Sequence, residues 1–98
     1  MNMQSLMMQA KKMQRDIEKS QKELENREYV GKSQLVSVTM GGNNKLLSIK
    51  IEMDDISLDD KEMLEDMILI AVNDAISKME KDKEEKFGKY GQMFNGLM

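Results

Sequence analysis

MQSLMMQAKKMQRDIEKSQKELENR, residues 3–27, repeats an apolar position every three or four residues with no Pro or Gly to interrupt it. Written in heptads, one set of seam positions holds Met3, Ala10, Ile17 and Leu24, and the other holds Leu6, Met13, Ser20 and Arg27. A 3.5-residue repeat is the pattern of a helix whose partner is another helix. Gln, Lys, Glu, Met and Leu all favour the helical backbone. At about 1.5 Å per residue this helix spans roughly 36 Å, whereas a compact domain of this size has a radius of gyration of only about 13 Å. The helix is expected to overhang its own domain, its seam covered by another helix from this chain or a second copy.

The opposite side of this helix is cationic. Lys11, Arg15, Lys19 and Lys22 step by four, four and three residues, and Lys12 lies beside them. Asp16 can pair with Lys12 or Lys19, and Glu18 with Lys22 or Arg15, at helical spacing. A solvated face laced with weak ion pairs is the simplest reading. A stripe that tracks phosphates is the sharper one. Met3, Met7, Met8 and Met13 are read as core-facing, with an adaptable groove for a partner peptide as the alternative.

After Glu28 the period shortens to two. Tyr29 to Ser33 reads as a short first strand. Leu35 to Met40 alternates, with Val36, Val38 and Met40 on one face. Gly41-Gly42-Asn43-Asn44 is a turn signal, because Gly and Asn tolerate positive φ. Lys45 to Ile51 alternates again, with Leu47, Ile49 and Ile51 on one face. Two such runs predict an antiparallel hairpin with one buried face. A sheet of two or three strands has exposed edges that invite pairing with a second chain.

Ser57 is a good N-cap with Asp60 three residues on, and Asp59, Asp60 and Glu62 suit the positive end of a helix dipole. The second helix is expected over residues 57–87, with Leu64, Met67, Ile68, Ala71, Val72, Ala75, Ile76 and Met79 as its apolar stripe. Leu69 and Ile70 widen that stripe, so it is expected to pack on the sheet and the first helix together. Residues 88–98 read as a flexible tail in which Phe94 and Leu97 could dock. The whole is one domain, residues 1–98, with the first helix over 1–27 and the sheet over 28–52.

Composition narrows function further. The 98 residues carry a net charge of −3, no Cys and no His, which removes disulfides, thiol nucleophiles, imidazole bases and the usual zinc sites. The charge is uneven: residues 1–34 hold seven Lys/Arg against five Asp/Glu, while residues 35–98 hold eight Lys against thirteen Asp/Glu. Twelve Met make an adaptable core, and three of the four aromatics, Phe87, Tyr90 and Phe94, fall near the C-terminus, leaving Tyr29 alone. The N-terminal stretch lacks a basic start and a long apolar run, so it does not read as a signal peptide, and no run approaches a membrane span. Asp54, Asp55, Asp59 and Asp60 lack the spacing of a calcium loop and read as helix-capping and loop residues. Gly41-Gly42 lacks the Lys-Ser/Thr of a phosphate loop, and Ser33, Ser37 and Ser48 have no base. No enzyme, metal, cofactor, membrane or small-molecule substrate is expected. The expected core or dimer residues are Leu6, Met13, Ile17, Val36, Val38, Ile49, Leu64, Met67, Ile68 and Val72.

These pieces, in this order, resemble the YbaB/EbfC family of bacterial nucleoid-associated proteins. Leu6-Met7-Met8-Gln9-Ala10-Lys11-Lys12-Met13-Gln14 is similar to that family's Met/Gln/Lys-rich first helix. Leu35 to Gly42 with Leu47 to Ile51 is similar to its central hairpin. Asp59-Asp60-Lys61-Glu62-Met63-Leu64-Glu65-Asp66-Met67-Ile68, followed by Ala71 and Asn73-Asp74-Ala75, resembles its second-helix signature, and is the most specific stretch. The sequence departs from the family in a thinned Gly run, Gly31-Lys32-Ser33-Gln34, and in Met53-Asp54-Asp55 where a Pro is common.

The resemblance implies an α+β fold, helix, three-stranded antiparallel sheet, long helix (α-β-β-β-α), joined in a tweezers-like homodimer with projecting helices. It implies a cytoplasmic, nucleoid-associated protein that binds double-stranded DNA without enzymatic chemistry and affects nucleoid organisation and gene expression. Carried over by position and charge, the DNA-binding candidates are Lys11, Lys12, Arg15, Lys19 and Lys22, then Lys78, Lys81, Lys83 and Lys86. Contact is expected mainly with phosphates, since few base-reading residues accompany the lysines. The competing expectation is a chaperone-like helical clamp for another protein, sensitive to polar substitution at Met7 or Met8.

Overall fold

A computed structural model gives the fold; it describes residues 2–96, with side chains through Gly88. The chain runs α1 (Met3–Glu25), β1 (Glu28–Lys32), β2 (Val36–Gly41), β3 (Leu46–Ile51) and α2 (Lys61–Gly96). This is the expected α-β-β-β-α order. The sheet is antiparallel with β2 in the centre, Tyr29 facing Met40, Gly31 facing Val38, and Val38 facing Ile49. The hairpin turn is closed by hydrogen bonds from Gly41 N–H to the Lys45 carbonyl (2.8 Å) and from Asn44 N–H to the Gly41 carbonyl (3.0 Å). Asn44 takes the positive φ, 68°, that the turn requires.

The core lies between the sheet and one stripe of α2. Val36, Val38 and Met40 are buried against Leu64, Ala71, Ala75 and Met79, with Met67, Ile68, Val72 and Ile76 packed around them. From β1, Tyr29 and Gly31 face inward. Gly31 lets the strand and helix backbones meet: a Cβ there would fall on the Ala71 carbonyl and the Ala75 amide. A single 3₁₀ turn, Leu58–Asp60, introduces α2, and the Asp60 carboxylate accepts from the Ser57 N–H (3.0 Å) and hydroxyl (3.2 Å).

Four expectations need correction. First, α2 lies over β1 and β2 and leaves β3 uncovered, so every residue of β3 is exposed. Ile49, facing buried Val38, is 45% exposed and is not core of this chain. Second, α2 meets α1 only near the base of α1, so Leu69 and Ile70 remain exposed. Third, Met3, Met7 and Met8 are exposed rather than core-facing, because the distal half of α1 projects, and Leu6, expected in the core or a dimer contact, is exposed in this chain. Burial along the seam instead rises toward the base, through half-buried Met13, Ile17 and Ser20 to buried Leu24. Fourth, α2 continues to Gly96 across residues read as tail. With no Pro to stop it, a helix absorbs isolated Gly at about 1 kcal/mol each. The docking expected of Phe94 and Leu97 lies outside the described side chains.

The projection shows in the dimensions. The radius of gyration is 19.9 Å, and the chain measures 70 × 23 × 13 Å, against about 13 Å expected of a compact chain of this length. No helix among the described residues is long and apolar enough to cross a membrane.

Candidate nucleic-acid interface

The base of α1 is fastened at several points. Leu24 is buried, and its carbonyl sits so close to Gly42 that a Cβ there would overlap it. Gly42 N–H donates to the Arg27 carbonyl at 2.9 Å. Arg27 and the Tyr29 hydroxyl both donate to one oxygen of Asp82 on α2, at 2.7 and 2.5 Å. Lys86 pairs with Glu23 at 2.8 Å. The arm therefore leaves the domain from a fixed joint, although its outer turns pack on little.

The joint carries a pH signature. The Tyr29 hydroxyl and Arg27 guanidinium hold the Asp82 carboxyl below its usual value of 3.8. Burial, reinforced by Asp82, pushes Tyr29 up to about 12. A carboxylate depressed on folding contributes stability above its unfolded pKa, and that contribution is lost as pH falls through the lower folded value. Wild type should therefore lose thermal stability below about pH 4 more steeply than Asp82→Asn, which is already destabilised at neutral pH. Melting curves across pH 2.5–7 check this.

The structure separates the candidate cations into two groups. On α2, Lys78 donates to the Val30 carbonyl at 2.8 Å and pairs with Asp74 at 3.2 Å. Lys86 is committed to Glu23, and Lys83 reaches the Asn44 side chain at 3.4 Å. Of these four lysines, Lys81 alone has no side-chain partner among the described residues. On α1 the situation is reversed. Lys11, Lys12, Arg15, Lys19 and Lys22 are all exposed. The ion pairs expected of Asp16 and Glu18 do not form among the described residues. Arg15, Lys19 and Lys22 line one shallow concavity with Glu18, Glu23 and Asn26. The arm thus presents five exposed cations that form no ion pair among the described residues, although Lys19 helps to hold the Glu23 carboxyl below its usual value.

The sheet edges are also unequal. On β1, the outward Lys32 N–H donates to Asp74 at 3.0 Å and the outward Val30 carbonyl accepts from Lys78, so α2 side chains close that edge. On β3 the edge is open and carries exposed Leu46, Leu47, Ile49 and Ile51. Sequence reasoning missed this use of Asp74 and Lys78, and missed the Arg27–Tyr29–Asp82 cluster. Only the i,i+4 spacing of Asp74 and Lys78 hinted at the first. Among the described residues no three carboxylates stand close enough to hold a metal ion.

Comparison with known proteins gives this geometry a family. The chain is similar to a nucleoid-associated protein of Lactococcus lactis, 48% identical over 92 residues, covering 92% of this chain and 93% of the relative. It is 40% identical over 98 residues to a nucleoid-associated protein of Enterococcus faecalis, covering 98% of this chain and 94% of that one. Its fold matches the crystal structure of the uncharacterized protein HP0035 from Helicobacter pylori, with a TM-score of 0.70, 24% identity and coverage of 100% and 99%. The sequence profile of the YbaB/EbfC DNA-binding family matches residues 1–94, and the chain belongs to that family.

Proposed function

We propose that this protein binds double-stranded DNA as a homodimer, holding backbone phosphates with the cations of α1 and thereby affecting nucleoid organisation and gene expression. The observation that carries the reading is the contrast between the two helices. The α2 lysines are largely used to close the sheet edge and fix the joint. The α1 cations stand exposed on a projecting arm, with no ion pair among the described residues. Unpaired Lys and Arg gain most from a polyanion, because each phosphate they neutralise releases condensed counterions. The net charge of −3 does not oppose this, because the excess acid lies away from the arm, eight carboxylates falling between Glu52 and Asp66.

The dimer reading rests on β3. An open strand edge with four exposed aliphatic side chains is a surface that pairs readily. A second copy meeting β3 along a two-fold axis brings two arms to one assembly, and two arms on one duplex raise affinity by effective concentration. Ile49→Asp is expected to shift the mass in light scattering from dimer to monomer. DNA affinity should fall with it, by about tenfold or more as the second arm is lost. An unchanged mass would place any dimer interface elsewhere.

A further inference from the structure

Met3, Leu6, Met7 and Met8 all stand exposed on the arm, and of these Met8 is the one in line with its cationic face. It is 71% exposed. At 3.6 residues per turn it lies opposite the seam of Met13, Ile17 and Leu24. It falls instead in line with Arg15, Lys19 and Lys22, with Lys11 and Lys12 one turn on, to either side of its line. No Asp or Glu precedes Asp16, so the outer half of the arm carries no acid, only cations, apolar residues and the neutral polar Gln4, Ser5, Gln9 and Gln14. The helix is formed from its first turn, where the Asn2 side chain accepts from the Gln4 N–H at 3.0 Å. Met8 is therefore presented from regular helix at the centre of the cationic face.

Resting on the DNA reading above, we infer that the outer half of α1 enters the major groove and that Met8 packs there against thymine C5-methyl groups. A helix about 10–12 Å across matches a major groove about 12 Å wide and not a minor groove of about 6 Å. In that position the flanking Lys11 and Lys12 reach toward phosphates of the two strands, and the central side chain meets base edges. Met8 has no hydrogen-bond donor and only a weakly accepting thioether sulfur, so it is poorly suited to reading a donor or acceptor pattern. The thymine methyl is the apolar feature the major groove displays, so the thioether side chain fits that partner. The phosphates still supply most of the affinity, and Met8 adds a preference for thymine-containing sequence.

The test is fluorescence anisotropy on a thymine-rich duplex and on the same duplex with uracil replacing thymine, at several salt concentrations. Wild type, Met8→Ala and Lys19→Gln are compared, each checked for mass. Alanine preserves the helix. Met8→Ala should weaken binding to the thymine duplex about tenfold at every salt concentration, leaving the slope of log K against log salt unchanged. Replacing thymine by uracil should weaken wild type by about threefold and Met8→Ala hardly at all. Lys19→Gln should instead flatten the slope, by roughly 0.9 for each phosphate no longer neutralised. Equal affinity of wild type and Met8→Ala, or equal affinity of wild type for both duplexes, overturns the inference while the slope change at Lys19 still supports the phosphate reading. A change in mass for Met8→Ala assigns the side chain to self-association and also overturns it. If wild type binds neither duplex at any salt, the DNA reading itself fails and the inference falls with it.

Discussion

Reversing the charge of Arg15 and Lys19 together should lower DNA affinity by about 100-fold or more near 0.1 M salt, because each neutralised phosphate contributes roughly tenfold there through counterion release. The loss should exceed that of simply neutralising the two side chains, since the glutamates also repel the duplex. Both residues are exposed, lie on the shallow concavity of α1 and make no ion pair among the described residues. Fold and solution mass should therefore survive, as read by circular dichroism and light scattering. The same reversal at Lys78 and Lys86 should look different. Those side chains hold the β1 edge and Glu23, so their reversal should lower the melting temperature. A protein clamp predicts the opposite ranking: little effect at Arg15 and Lys19, and loss of partner binding on polar substitution of exposed Met7.

Gly31→Val should be the most destabilising single substitution in the sheet, at about 3 kcal/mol or more, which for a chain of this size lowers the melting temperature by roughly 15 °C. The reason is what a side chain would meet. Its Cβ would fall on the Ala71 carbonyl and within 2.5 Å of the Ala75 amide nitrogen, and these are backbone atoms of the helix that forms half of the core. A flexible side chain can swing aside, whereas a packed helix must lift off the sheet. Lifting it opens the packing of Val36, Val38 and Met40 against Leu64 and Met79. It also breaks the bonds from Asp74 and Lys78 to β1. Thermal melts of wild type, Gly31→Ala and Gly31→Val should fall in that order.

Much of this architecture could be read in the sequence, for identifiable reasons. Both helices carry long periodic stripes, the hairpin is marked by Gly41-Gly42-Asn43-Asn44, and Ser57 with Asp60 announces the start of α2. What could not be read was how the elements face one another. Periodicity places Ile49 and Val38 on equivalent faces, but only packing decides that α2 covers Val38 and leaves Ile49 open. The notch of Gly31 against Ala71 and Ala75 had a signal, two small residues one helical turn apart, that became informative only with β1 placed beside them. Among the cations, sequence spacing suggested pairs within α1. The structure instead spends Lys78 and Lys86 on long-range partners, which spacing along one helix cannot reveal. The end of α2 was misplaced because Gly88, Gly91 and Gly96 weaken a helix without terminating it.

The central claim is that the exposed cations of α1 are a phosphate grip, and its most direct measurement is DNA affinity as a function of salt. Fluorescence anisotropy on mass-checked protein should give log K falling linearly with log salt, with a slope of roughly −4 to −5 if the five cations of one arm engage, and steeper if the arms of two copies do. A slope near zero, or no binding at low salt, would contradict the claim and turn attention to protein partners of the exposed Met-rich arm.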